Sequence, residues 1–243
     1  MSATLLYPLP RVLWLLKQIG GPAFEWFFLF CVLLGLFVRW WRPATARAVR
    51  WSLLALVSVY LVLSLPFIAN LISGGLPAVP TVTRPSAPGP VDLLVVMDGD
   101  NRRGRVRAGI EVNAVAAPRE VWVLGNGWLI EQLSAGGVPR NRIFHDAFLA
   151  TTRDQLASLA QLAARRPGWT VAVIVSRLQA PRMAFLLEQS HLSVRLIESP
   201  ADVEPATAGA LVFVPTYYAL RVSRDAIYEH VALRYYRWHG WIK

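Results

Sequence analysis

Two apolar runs, residues 24–41 and 51–72, decide what kind of molecule this chain builds. Each is about 18–22 residues long, roughly what a helix needs to cross the hydrocarbon core of a bilayer. Four arginines, Arg39, Arg42, Arg47 and Arg50, stand in or beside the short connection between them. Clustered cations of this kind normally stay on the cytoplasmic side. Both outer ends of the pair are then expected away from the cytoplasm. The chain beyond residue 90 is expected in the periplasm of a Gram-negative host, anchored in the inner membrane by two spans.

The amino-terminal segment, residues 5–19, is apolar but interrupted by Pro8, Pro10, Arg11 and Lys17. It reads as an interfacial or re-entrant segment rather than a span, and no clean signal-peptide pattern is present. The formal charge of +10 needs dividing before it is interpreted. Residues 1–90 carry seven Lys/Arg against one acid, Glu25, and residues 91–243 carry eighteen against fourteen. Most of the excess is topology signal, and the soluble part is only mildly basic. No nucleic-acid-binding motif accompanies it, so nucleic acid is excluded as a partner. The single cysteine, Cys31, falls in the first apolar run, so no intramolecular disulfide can form.

Residues 73–90 (SGGLPAVPTVTRPSAPGP) hold five prolines and three glycines and read as an extended linker. Beyond it, apolar strands alternate with helical patterns. Strands are expected at 92–97 (DLLVVM), 120–124, 142–145, 170–175, 194–198 and 210–214. Helices are expected at 105–116, 129–135, 152–165, 181–189 and 223–238. This alternation predicts an α/β fold, a mostly parallel, Rossmann-like three-layer sheet domain over residues 91–243. In such sheets ligands bind at the carboxyl ends of the strands.

Those ends carry the candidate chemistry. Asp98 and Asp100 flank Gly99 after the first strand, and paired carboxylates there suit a divalent cation or acid/base catalysis. The plain alternative is a polar turn. A haloacid dehalogenase-type nucleophile loop would place a threonine at the position of Arg102. No dinucleotide fingerprint, phosphate loop or nucleophile elbow is present. The four histidines have no metal-ligand spacing, so no metal site is expected. Thr152 and Gln155 read as a capping box around Asp154, and the helix start they define offers free N–H groups to an anion. Arg105 and Arg182 each begin a helix near the same edge and suit a bidentate phosphate clamp, with both guanidinia expected exposed at the cleft.

The order of these motifs resembles the YdcF-like family, the group that includes SanA and ElyC. The resemblance runs through the first strand and Gly99, Arg105-Val106-Arg107-Ala108, and Leu124-Gly125-Asn126-Gly127. It continues through Gly137-Val138-Pro139, Asp146 with Thr151-Thr152-Arg153-Asp154-Gln155, and Ser176-Arg177-Leu178-Gln179-Ala180-Pro181-Arg182. It closes on residues 219–226 with Glu229 and Tyr236. It covers roughly residues 91–243, and the two preceding spans match the membrane-anchored, ElyC-type layout. By resemblance the ligand-binding positions are Gly99, Arg105, Asn126, Thr152, Asp154, Ser176, Gln179 and Arg182. The family's histidine is Gln179 here, and glutamine cannot serve as a general base.

The resemblance implies an envelope-biogenesis factor that binds an anionic, phosphorylated cell-wall or lipid-carrier ligand, a polyprenyl phosphate being one candidate. The expected partners are therefore membrane lipid and that ligand. A metal-dependent hydrolase or transferase built on Asp98 and Asp100 is the enzymatic alternative. A scaffold for peptidoglycan-synthesis proteins is the structural one. The cofactor stays open: the resemblance also implies a nucleotide or S-adenosylmethionine, which a periplasmic domain would rarely meet.

Overall fold

The computed structural model describes residues 43–79, 82–99, 101–147, 152–190, 192–201 and 207–242. The amino-terminal segment, the first apolar run with Cys31, and Asp100 lie outside these. In chain order the elements are α1 (Pro43–Leu63), α2 (Pro66–Gly74), β1 (Val82–Thr83), β2 (Leu93–Met97), α3 (Arg102–Ala116) and β3 (Glu120–Leu124). Then come α4 (Trp128–Ala135), β4 (Ile143–Asp146), α5 (Thr152–Ala164), β5 (Val171–Ser176), α6 (Ala180–Gln189), β6 (Val194–Ser199) and α7 (Tyr217–Trp238). The chain forms two compact units. One is Pro77–Asp202 with Leu233–Lys243; the other is Met1–Leu76 with Val203–Ala232.

The first unit is the α/β domain. Its six strands run in the order β1-β6-β5-β2-β3-β4, and every neighbouring pair is parallel. The central strands β2 (LLVVM) and β5 (VAVIVS) are buried at every position, as sequences covered by helices on both faces must be. Toward the edge the burial thins: β3 alternates and β4 buries only its first residue. Leu94 and Val96 of β2, Val121 and Val123 of β3, and Leu129 and Leu133 of α4 lie in one core cluster.

Two differences from the sequence reading concern which segments form strands. The apolar run at 210–214 is not a strand; Ala210–Phe213 is a 3-10 turn. The edge position is filled instead by Val82–Thr83, from the stretch expected to be free linker, which pairs with Leu196 and Ile197. The Thr83 hydroxyl donates to the Leu196 carbonyl at 3.1 Å. Arg195 donates to the carbonyls of Pro88 and Pro90, so the proline-rich stretch is fastened along β6.

The second unit is built on a broken helix. The run at 51–72 does not form one rod: α1 and α2 are bent by 70° where they meet. The cause is Pro66, which opens α2, has no amide hydrogen and holds Leu65 in an extended conformation (φ −77°, ψ 127°). The carbonyls freed at the break find other donors. Ser64 O accepts from the Thr216 amide at 2.8 Å, and Leu63 O from the Ser223 hydroxyl at 2.8 Å. The His230 ring Nε2 lies 2.9 Å from Ile72 O. Among the described residues no single helix is long and apolar enough to cross a membrane. The bent pair Trp51–Leu63 and Pro66–Gly74 qualifies jointly, by length and composition.

Candidate functional site

The strand order reverses between β2 and β5. From β2 the chain proceeds outward to β3 and β4, then returns to the other side of β2 to build β5 and β6. In sheets of this topology the connections diverge at such a point, and ligands bind in the crevice outside the carboxyl ends of the two strands.

Arg105 fills the floor of that crevice. It is fully buried. Its Nη1 donates to Met97 O of β2 at 3.0 Å and to Ile174 O of β5 at 3.3 Å. Its Nη2 donates to Gln179 Oε1 at 2.7 Å. The last paired residues of the two strands are Val96 and Ile174, so the guanidinium bridges them where the ladder stops. The reading of Arg105 as an exposed phosphate clamp is thus corrected. Three of its hydrogen bonds go to the protein itself, and its first role is to tie the two central strands together.

Gly99 and Gln179 face this guanidinium. A Cβ on Gly99 would lie 3.1 Å from Arg105 Nη2 and 4.0 Å from Gln179 Nε2, and the Gly99 backbone has φ +156°. Only glycine lets the chain pass so close to a buried arginine. Gln179 is 4% exposed. Its Oε1 is held by Arg105, its backbone amide is shared by Ser176 O and Ser176 Oγ, and its Nε2 has no partner among the described residues. The amide nitrogen is therefore available as a donor. Here it stands at the topological switch point.

Two helix starts border the same crevice without side-chain caps. Asn101 at the start of α3 and Gln179 at the start of α6 make no capping hydrogen bond. Asn101 adopts a left-handed conformation, and its Nδ2 reaches the Pro200 carbonyl (2.8 Å) and Ser199 Oγ (3.3 Å), while its buried Oδ1 has no partner. The first turn of α3 contains no acid and carries Arg102 and Arg103. Cations at a helix amino terminus oppose the helix dipole, by about 0.3–1 kcal/mol each at exposed positions. An anion reverses that sign.

Asp98 is occupied. Its Oδ1 accepts from the Gly99 amide (2.8 Å) and Arg102 Nε (2.6 Å), and its Oδ2 accepts from Arg102 Nη2 (3.0 Å). Asp100 lies outside the described residues. No group of three His, Cys, Asp or Glu able to hold a metal occurs among the described residues.

The remaining sequence-derived positions divide. Ser176 is buried in the crevice beside Gln179. Arg182, 2% exposed, donates to Thr152 Oγ1 at 2.8 Å and lies 5.7 Å from the centre of the Tyr236 ring. It joins α5, α6 and the end of α7; it too is buried, contrary to expectation. Asn126 is exposed and caps α4, its Oδ1 accepting from the Trp128 amide at 2.8 Å. Asp154 is exposed on the first turn of α5. Gln155 does not reach back to cap its own helix. It is buried, and its Nε2 points to Leu124 O (3.4 Å) and Asp98 O (3.5 Å), at the ends of β3 and β2.

Sequence reasoning placed Asn101 and Gln155 at this edge but missed their roles. Asn directly before a helix signals a cap, not a reach to β6. A surface depression of about 530 Å³ along α4, lined by Gly127, Ile130, Glu131, Ser134, Ala135 and Arg140, shares no residue with the crevice. No family model, curated protein or solved structure matches the chain.

Proposed function

We propose that this chain is an envelope-biogenesis factor anchored in the bacterial inner membrane, and that its periplasmic α/β domain binds an anionic, phosphorylated ligand at the β2–β5 crevice. The observation that carries the proposal is Gln179, a nearly buried residue whose Oε1 is held by Arg105 while its Nε2 makes no hydrogen bond to a described residue, set between two helix starts without side-chain caps. Helix amino termini and fixed amide donors together suit a phosphate oxygen. Arg105 orients the amide by holding its oxygen, so the ligand meets N–H and not C=O. Arg103 adds positive charge at the first turn of α3, where Arg102 is paired with Asp98.

The resemblance to the YdcF-like family supports the same reading and narrows it. Gln179 stands where that family has histidine. An amide keeps a donor that an imidazole would offer, but cannot take a proton at neutral pH. Both Asp98 oxygens are already engaged by Arg102. A binding role therefore fits these residues better than a metal-dependent hydrolase. The membrane assignment is supported by the arginine cluster at residues 39–50 and the apolar pair α1–α2. Alkaline phosphatase fused after Lys243 should be active, and a cytoplasm-restricted fluorophore there should be dark; the reverse pattern overturns the localisation.

The site is tested with the full chain in nanodiscs, by calorimetry against inorganic phosphate, pyrophosphate and a polyprenyl phosphate. Gln179→Leu should weaken binding roughly tenfold to a hundredfold, the worth of one hydrogen bond to a charged group at about 1.5–3 kcal/mol. Gln179→His should retain most of it. Unchanged affinity in Gln179→Leu removes the crevice from consideration. Divalent-dependent phosphate release abolished by Asp98→Asn would establish the hydrolase instead.

A further inference from the structure

The most conspicuous surface outside the crevice belongs to the helical unit. The chain from Trp51 to Thr83 has no Asp, Glu, Lys or Arg, and neither does the chain from Pro205 to Leu220. The first stretch contains α1 and α2. The second contains the 3-10 turn Ala210–Phe213 and the start of α7. The turn is apolar yet open: Leu211 is 66% exposed, Phe213 64% and Val214 49%. It is joined to the broken helix, because the Phe213 ring packs on Phe67 of α2 with 5.9 Å between centroids. Phe67 and Leu71 of α2 are themselves exposed, and their i, i+4 spacing puts them on one face.

We infer that this turn is a second membrane contact, an interfacial wedge that enters the bilayer beside α2. The inference rests on the reading of α1–α2 as a membrane element. A soluble protein rarely leaves so many large apolar side chains together in water. The occupant is lipid and not a protein partner because of how the exposure is distributed. On α1 the exposed residues Leu61, Leu54, Trp51, Val59 and Leu56 span roughly 220° of the circumference at 100° per residue. A partner helix or sheet covers one stripe; only a solvent covers more than half a cylinder. The turn continues that surface through the Phe67–Phe213 contact. Tyr217 and Tyr218 follow it, both partly exposed, and are suited to the headgroup level. The α/β domain would then be fastened to the bilayer at two of its three chain junctions, before Pro77 and after the end of β6.

The test uses the full chain carrying Cys31→Ser, with single cysteines introduced by Leu211→Cys, Phe213→Cys, Leu54→Cys and Val115→Cys. Each variant is spin-labelled and reconstituted in phosphatidylethanolamine–phosphatidylglycerol vesicles. Collision rates with oxygen, which partitions into lipid, and with a water-soluble nickel chelate then report depth. Val115 of α3 serves as the aqueous reference. Labels at positions 211 and 213 should favour oxygen over nickel several-fold more than position 115 does, at shallower depth than position 54. If position 54 is lipid-exposed while 211 and 213 match position 115, the wedge is overturned and the anchor stands. If 211 and 213 are shielded from both reagents, a protein surface covers the turn and the inference fails. If position 54 is itself aqueous, the membrane reading fails and takes the wedge with it.

Discussion

The two units use apolar residues in opposite ways. In the α/β domain the strands β2 and β5 have all their side chains inside the chain's own packing. In the helical unit Trp51, Val59, Phe67 and Leu71 are about half or more exposed. The same difference appears in the polar groups. At the end of β2 and β5 the orphan carbonyls are satisfied by Arg105, and at the helix break by Thr216 and Ser223. At these places backbone polarity is settled within the chain in both units, while among the described residues large apolar side chains stay open mainly in the helical one. Hydrogen bonds must be made wherever the surroundings are dry, whereas apolar surface can be covered by any apolar medium. Among the described residues of the helical unit the carbonyls at the helix break are paired while the apolar faces stay open, which agrees with the proposal that lipid covers them.

The comparison breaks most visibly if the α/β domain turns out to depend on its surroundings. Arg105→Met removes the bridge between β2 and β5 and strands up to three buried acceptors: Met97 O, Ile174 O and Gln179 Oε1. Each costs about 1–3 kcal/mol, so a loss of roughly 3–5 kcal/mol is expected, a large share of a domain's stability. The loss should be equal in detergent and in nanodiscs, measured by denaturant unfolding of the full chain. A loss below about 1 kcal/mol would show the guanidinium to be a ligand group and not a brace.

A smaller effect is expected at the helix break. Ser223→Ala withdraws the donor to Leu63 O and should cost about 1 kcal/mol. The cost should be local. Amide exchange should accelerate around residues 63–66, and the unfolding midpoint of the α/β domain should not move. Acceleration spread over β2 or β5 would contradict the division into two self-contained units.

How much of this could be read from the sequence depends on what a residue pattern specifies. The strands at 93–97, 120–124 and 171–176 were legible because a short, continuous apolar run bounded by turn residues has few other homes. The run ALVFV at 210–214 has the same appearance and became an exposed turn. An apolar run states that it leaves water, not which apolar medium receives it. Val82–Thr83 was illegible for the converse reason: an edge strand two residues long inside a proline-rich stretch has no period to detect. The crevice was legible as a place, since the strand-end rule put Gly99, Arg105, Ser176 and Gln179 at one edge. The roles were not. Arginine announces up to five donors but not their acceptors, and Arg105 directs at least three of its hydrogen bonds to the fold. Gln155 fitted a capping box by spacing, yet its amide turns to the carbonyls of Leu124 and Asp98, because orphan acceptors at a sheet's edge compete with those of a helix end.

The smallest expected effect settles the one exposed member of the edge whose role is divided. Asn126 was placed among the ligand-binding positions by resemblance, and in the structure it caps α4 through the Trp128 amide. Asn126→Ala should cost about 0.5–1 kcal/mol by loss of the cap. That alone does not separate a cap from a ligand group, because a frayed α4 could also disturb the crevice. Asn126→Ser separates them. Serine restores the cap with a hydroxyl oxygen but removes the amide donor. If Asn126 acts only on α4, the serine variant should recover the melting temperature and bind inorganic phosphate as the parent does. Recovered stability with several-fold weaker binding would instead bring Asn126 into the site, extending the crevice from β2 and β5 across to the end of β3.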